Sequence, residues 1–179
     1  MKKTPDATAG QGTWAADLAG FDSGLRARGM AEKTRRAYGV DVAQLAAKYP
    51  AVIVVCRSCF QLRFYKHLKL DRTYPIAVGQ QGLETPAGLY DVQSKQVNPS
   101  WHVPNSAWAG SLAGRVIPPG PQDPLKARWM GFFDGAGIHG TDNLSSLGTA
   151  ASHGCIRMSI PDVIQLYDVV PLHAPILIE

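Results

Sequence analysis

Gly137-Ile138-His139-Gly140-Thr141 and, one loop later, Ser152-His153-Gly154-Cys155-Ile156-Arg157-Met158 are the stretches on which the reading of this chain turns. A free thiol, with a pKa of about 8.5, is only a few per cent thiolate at neutral pH, so a nucleophilic cysteine needs a base. Two histidines stand near Cys155. His153 is two residues before it, and in an extended segment residues i and i+2 share a face. His139 lies 16 residues earlier and reaches it only from an adjacent strand. Gly154 leaves the backbone open, so its N–H and that of Cys155 can face a developing oxyanion. Arg157 falls on the Cys155 face of an extended chain, where its planar fork suits a carboxylate. A helix starting near Ile160 adds a weak positive field that favours thiolate.

Working outward, the elements are mainly strands. Residues 51–55 read as a buried strand. Phe60, Leu62, Phe64 and Tyr65 fall in a second, Tyr74 to Val78 in a third, Leu89 to Val92 in a fourth and Ala127 to Phe133 in a fifth, with Pro175 to Ile178 as a last short one. Ser159-Ile160-Pro161-Asp162 is a helix start, with Ser as N-cap, Pro in the first turn and Asp at N3. Val163, Leu166 and Val170 give that helix its apolar face. Residues 98–124 hold six Pro and three Gly in 27 positions, with Trp101 and Trp108. A loop that long reads as a functional lid.

Toward the N-terminus the character changes. Residues 1–12 read as a flexible polar tail. Trp14, Leu18, Phe21 and Leu25 make an apolar stripe, and Tyr38, Val42 and Leu45 continue it, so residues 13–49 read as two helices. Pro50 ends the second. The fold class is therefore mainly β with a few helices: a catalytic domain over 51–179 behind a short helical segment.

Composition sets bounds. The 179 residues are 45% hydrophobic and 18% charged, ordinary for a globular domain that buries about 70% of its unfolded surface. No run approaches the ~20 apolar residues of a membrane span, and residues 4–12 hold no apolar core of a secretory signal. Net charge is +4; residues 50–179 carry ten Lys/Arg against nine Asp/Glu, a balance that calls for no nucleic-acid partner.

Blander readings stand beside the sharp one. A lone free cysteine is more often a buried small hydrophobe than a nucleophile. His67, His102 and His173 read as surface or structural residues, and Gly135-Ala136-Gly137 as a turn. His139, His153 and Cys155 also suit three zinc ligands without a clear fourth; no metal and no cofactor are expected. Cys56-Arg57-Ser58-Cys59 lacks the second pair of a zinc ribbon, and reads as flanking a two-residue hairpin turn, either as a disulfide or as two packed thiols.

The 139–158 motifs resemble the active-site signature of the L,D-transpeptidases (YkuD catalytic domain). Tyr74-Pro75-Ile76-Ala77-Val78-Gly79 and Thr85-Pro86-Ala87-Gly88-Leu89-Tyr90 are similar to that family's upstream strand and Thr-Pro-x-Gly turn. The resemblance covers about residues 51–179 and implies a β-sandwich or barrel-like domain with its cleft under a lid. It implies Cys155 as nucleophile, His139 as its base, His153 as an orienting group and Gly154 in the oxyanion hole. Arg157, Ser152 and Thr141 are then the substrate-binding residues. The implied partner is a peptidoglycan stem peptide. The amide between its diamino acid and D-Ala is exchanged through a thioester for one to an amine acceptor, or for a carboxylate if water accepts as in an L,D-carboxypeptidase. The implied place of action is outside the cytoplasmic membrane. Residues 18–45 resemble the start of the helical core-binding domain of tyrosine recombinases, which would make those helices a DNA-binding or interaction module; an amphipathic hairpin packed on the domain is the alternative.

Overall fold

A computed structural model describes residues 49–179. The tail at 1–12, the helices at 13–48 and the recombinase-like stretch at 18–45 lie outside the described residues.

Strand β1 (Ala51–Cys56), apolar at every position, alternates buried and half-buried residues as successive side chains point to opposite faces. It pairs antiparallel with β2 (Gln61–Lys66) and parallel with the distant β13 (Pro175–Ile178), where Ile53 sits opposite Ile176. With β3 (Lys69–Pro75) and β5 (Gly88–Asp91) they form a five-stranded sheet in the order β3-β2-β1-β13-β5. A four-stranded sheet follows the order β12-β10-β9-β6. It comprises β12 (Ile156–Ser159), β10 (Ala136–Thr141), β9 (Arg128–Phe133) and β6 (Ser94–Val97).

Both sheets contribute to one core. Ile53, Val55, Leu62, Phe64 and Ile176 come from the first, and Met130, Phe132, Ile138, Ile156 and Met158 from the second. Each large side chain buried there contributes about 1.5–3 kcal/mol. Helix α1 (Ile160–Val169) adds Val163 and Leu166. Its start is the one read from sequence: Ser159 Oγ accepts the Asp162 N–H at 3.2 Å and donates to Asp162 Oδ2 at 2.6 Å. At its other end Lys95 Nζ donates to the Tyr167 and Val170 carbonyls, which the helix leaves unpaired.

Four expectations need correcting. The third strand is β3, which ends at Pro75. Because β3 is a sheet edge, Pro75 and the exposed Lys69, Asp71 and Arg72 are tolerated there. Val78–Gly79 is a separate short strand, β4, parallel to β11 (Ala150–Ser152). Residues 98–124 are not structureless: β7 (Trp101–His102) and β8 (Val116–Ile117) pair antiparallel around a 3-10 helix (Ala107–Leu112). Finally, the β1–β2 connection is four residues long and Cys59 lies within it, joined to Cys56 by a disulfide; Phe60, expected in β2, turns at φ +52°. Among the described residues no helix is long and apolar enough to cross a membrane.

Candidate active site

Strand register places the site. Gln96 on β6 is opposite Trp129 on β9, Trp129 is opposite His139 on β10, and His139 is opposite Arg157 on β12. Side chains in one transverse row share a face. This row floors a cavity of about 680 Å³ whose lining also includes Ser152, His153 and Cys155. Neighbouring residues Met130, Ile138 and Ile156 face the core instead. Trp129 lies flat across two glycines: a Cβ at Gly137 would come within 2.5 Å of its ring, and one at Gly131 within 3.0 Å of its Nε1. Its ring centre is 6.1 Å from that of His139.

Cys155 stands in the turn between β11 and β12. Ser152 closes that turn, its Oγ donating to the Cys155 carbonyl at 2.5 Å and accepting the Gly154 N–H at 3.2 Å. Gly154 has φ +107°, a conformation few residues other than glycine adopt. Across that turn His153 still lines the cavity that Cys155 lines. Its ring stacks on Trp108 at 4.2 Å, and Trp108 in turn on Trp101 at 6.4 Å. Residues 98–124 thus roof the cavity. The roof is tied down by Lys126, which pairs with Asp142 at 2.6 Å and donates to the Pro121 carbonyl.

The segment from Ile76 to Gln80 braces the cysteine turn from behind. Ala77 and Arg157 exchange two backbone hydrogen bonds, the Val78 N–H donates to the Thr149 carbonyl and the Gln80 N–H to that of Ser152. Thr85, fully buried, accepts the Gly79 N–H on its Oγ1 at 2.8 Å, and its carbonyl accepts from Arg57 Nη1. A Cβ on Gly79 would come within 2.2 Å of the Leu83 carbonyl oxygen. The two upstream motifs are thus scaffolding for the turn.

His139 is 4% exposed. Burial pulls its pKa down to about 4, the Arg157 guanidinium pushing the same way against the Gly140 and Pro124 carbonyls. Its Nδ1 is 2.8 Å from the Gly140 carbonyl, which can only accept, so Nδ1 carries the proton and Nε2 keeps the lone pair of a base. Burial raises the half-buried Cys155 thiol, against a backbone hydrogen bond from Gly137 and the Arg157 charge. Burial and Arg157 also lower His153. The resting pair is neutral thiol and neutral imidazole. Among the described residues no hydrogen bond joins them; Cys155 Sγ instead faces the Gly135 carbonyl at 4.0 Å. Such bonds commonly tighten only when substrate is bound.

The structure brings Cys155, His139, His153, Arg157 and Ser152 to one cavity. Ser152 is 1% exposed, and its hydroxyl is committed to the turn. Gly154 has given its N–H to Ser152, which leaves the Cys155 N–H, without a partner among the described residues, as the open donor of the expected pair. Thr141 is absent from the lining; buried beside Ser159, it accepts the Asn143 N–H on its Oγ1. Among the described residues no three of His, Cys, Asp and Glu are grouped to hold a metal ion. Sequence reasoning missed Trp129 and Gln96, which only cross-strand register reveals; the available signal was Trp129 among Gly131 and Gly137.

A thiol beside a buried, neutral imidazole in a roofed cleft of a mainly β domain is the arrangement that cysteine-based acyl transfer requires. The family model for the L,D-transpeptidase catalytic domain (YkuD) matches residues 50–178, and the chain belongs to that family. The putative L,D-transpeptidase YkuD of Bacillus licheniformis is 36% identical over 123 residues, 68% of this chain and 61% of that protein. The putative L,D-transpeptidase YqjB of Bacillus subtilis is 33% identical over 132 residues, 70% of this chain and 69% of that one. Among solved structures, an L,D-transpeptidase from Mycobacterium smegmatis aligns with a TM-score of 0.60 at 18% identity. It covers 73% of this chain and 59% of that one, and the likeness is one of fold. The chain thus spans about three fifths of the Bacillus licheniformis protein.

Proposed function

We infer that residues 51–179 act as a peptidoglycan L,D-transpeptidase outside the cytoplasmic membrane. The observation that carries this reading is that Cys155 and His139 line one cavity, within the stretch 50–178 that the family model matches. His139 Nε2 takes the thiol proton as Cys155 Sγ attacks the carbonyl of the diamino acid in a stem peptide. The Cys155 N–H faces the oxyanion, and Arg157 holds a substrate carboxylate. As the C–N bond breaks, the imidazolium returns its proton to the departing D-Ala amine, leaving a thioester on Cys155. An acceptor amine then attacks the thioester, and its proton passes through His139 to the sulfur. A neutral resting pair makes proton transfer and attack concurrent, because free thiolate is scarce. The aromatic roof limits water at the thioester and so favours the amine.

Mass spectrometry of the protein with disaccharide-tetrapeptide, beside Cys155→Ala, tests this reading. D-Ala release, an acyl adduct on Cys155 and a cross-linked dimer are expected from the wild type and none of them from the variant. Tripeptide as the sole product would make it an L,D-carboxypeptidase. Full transpeptidation by Cys155→Ala would overturn the assignment.

A further inference from the structure

The cavity carries one fixed charge of each sign. Arg157 is the cation, and Asp134 is the one carboxylate among the lining residues. They stand at different ends. Arg157 is the register partner of His139, whereas Asp134 opens the Asp134-Gly135 turn that joins β9 to β10, five residues before His139. At about 3.3 Å per residue of strand, the backbone of Asp134 stands roughly 15 Å along β10 from the His139–Arg157 row. Cys155 Sγ lies toward the acidic end, 4.0 Å from the carbonyl of Gly135, the residue beside Asp134. Asp134 is exposed, and its carboxylate has no hydrogen bond or ion pair with any described residue. The fold therefore leaves it unspent.

The two half-reactions need different recognition. The acyl donor presents a carboxylate, for which Arg157 is suited. The acceptor arrives later as a primary amine, an ammonium at neutral pH, and must find the thioester before water does. Building on the reading of Cys155 as acyl carrier, we propose that Asp134 is the specificity-determining residue of the acceptor half-reaction, collecting a cationic primary amine beside the thioester. The ammonium loses one proton to solvent. The amine nitrogen then bonds to the acyl carbon as the C–S bond breaks, and its second proton reaches the thiolate through His139. Neutral water gains no ion pair with the carboxylate, so Asp134 biases the enzyme toward transfer.

Asp134→Asn is the variant of choice. Asp134 has φ +32°, and Asp and Asn enter that left-handed region more readily than most side chains; Asp134→Gly, equally free there, serves as a second background. Disaccharide-tetrapeptide is the donor. The acceptor, titrated separately, is a disaccharide-tripeptide with its side-chain amine free and no D-Ala to lose. In both variants D-Ala release and acyl-Cys155 formation should stay within about twofold of wild type. The half-saturating acceptor concentration should rise roughly three- to fivefold, the size expected of a solvent-accessible ion pair, and hydrolysed tripeptide should increase. In the wild type that concentration should climb with added salt, and in Asp134→Asn it should not. An unchanged acceptor dependence with an intact donor step would overturn the proposal. Absence of an acyl adduct in the wild type would instead overturn the transpeptidase reading, and this proposal with it.

Discussion

The floor and the roof of the cavity are built on opposite principles. The floor is a row of four side chains fixed by strand register, with His139 buried and Trp129 seated on two glycines. The roof is a two-residue pair of strands and a 3-10 helix, stacked on the cysteine turn by Trp108 on His153 and tied at its end by Lys126 to the Pro121 carbonyl. Groups that exchange protons and bonds need positions good to fractions of an ångström, and a sheet interior supplies them. Under the proposed function the roof admits a peptide and then excludes water, which asks for contacts that can be broken.

The sharpest way to break this contrast is His139→Gln. Loss of the proposed general base costs on the order of 10²–10⁴-fold, read as kcat/KM for D-Ala release. In the wild type, the acid limb of that profile should fall near pH 4 rather than near 6.5, because burial holds the base neutral down to about 4. The same depression has a stability sign. The unfolded chain binds the proton below about 6.5 and the folded one only near 4, so stability is complete above 6.5 and declines as pH falls between those values. The loss is about 3 kcal/mol and should flatten in the variant when followed by denaturant melts.

Gly137→Ala would sharpen the contrast from the floor side. The added methyl meets the Trp129 ring, and a cost of about 1–3 kcal/mol should appear in thermal unfolding together with reduced turnover. Ser152→Ala removes the acceptor of the Gly154 N–H and the donor to the Cys155 carbonyl. About 1–2 kcal/mol is expected, along with slower alkylation of Cys155 by iodoacetamide as the turn loosens. The smallest effect belongs to the roof. Trp108→Ala gives up a stack of about 0.5–1.5 kcal/mol, so melting should barely move while the ratio of hydrolysis to transfer rises. A melt lowered more by Trp108→Ala than by Gly137→Ala would invert the contrast.

Much of this was legible in the sequence, and the gaps have physical causes. β1 and β13 announce themselves as short runs of uninterrupted apolar residues, and the start of α1 because Ser159, Pro161 and Asp162 each satisfy a specific need of a helix end. β6 is hidden. Its inward residue is Lys95, whose ammonium caps helix carbonyls, so the strand shows no apolar alternation. The order in 98–124 comes from backbone pairing and stacked rings, which leave no period. In the site, Cys155, His139 and Arg157 follow from motif and spacing. His153 lines the same cavity as Cys155 with Gly154 at φ +107° between them, and its stack on Trp108 is a contact that spacing does not reveal. Thr141 and Ser152 are ambiguous in sequence, since a hydroxyl that holds a turn looks the same as one that holds a substrate.

The place of β13 bears on how the molecule is made. It sits between β1 and β5, so the middle of the five-stranded sheet is filled by residues 175–178 and completed by a pairing with β1 that spans more than a hundred residues. A nascent chain that has emerged through α1 already holds all four strands of the catalytic sheet, yet its neighbour still has a gap between the open edge of β1 and the unpaired β5. Closure of that gap is a long-range, high-contact-order event of the slow kind, taking milliseconds to seconds. Until then the half-built core is exposed to aggregation, and the enzyme becomes one folded unit only once its last strand is delivered.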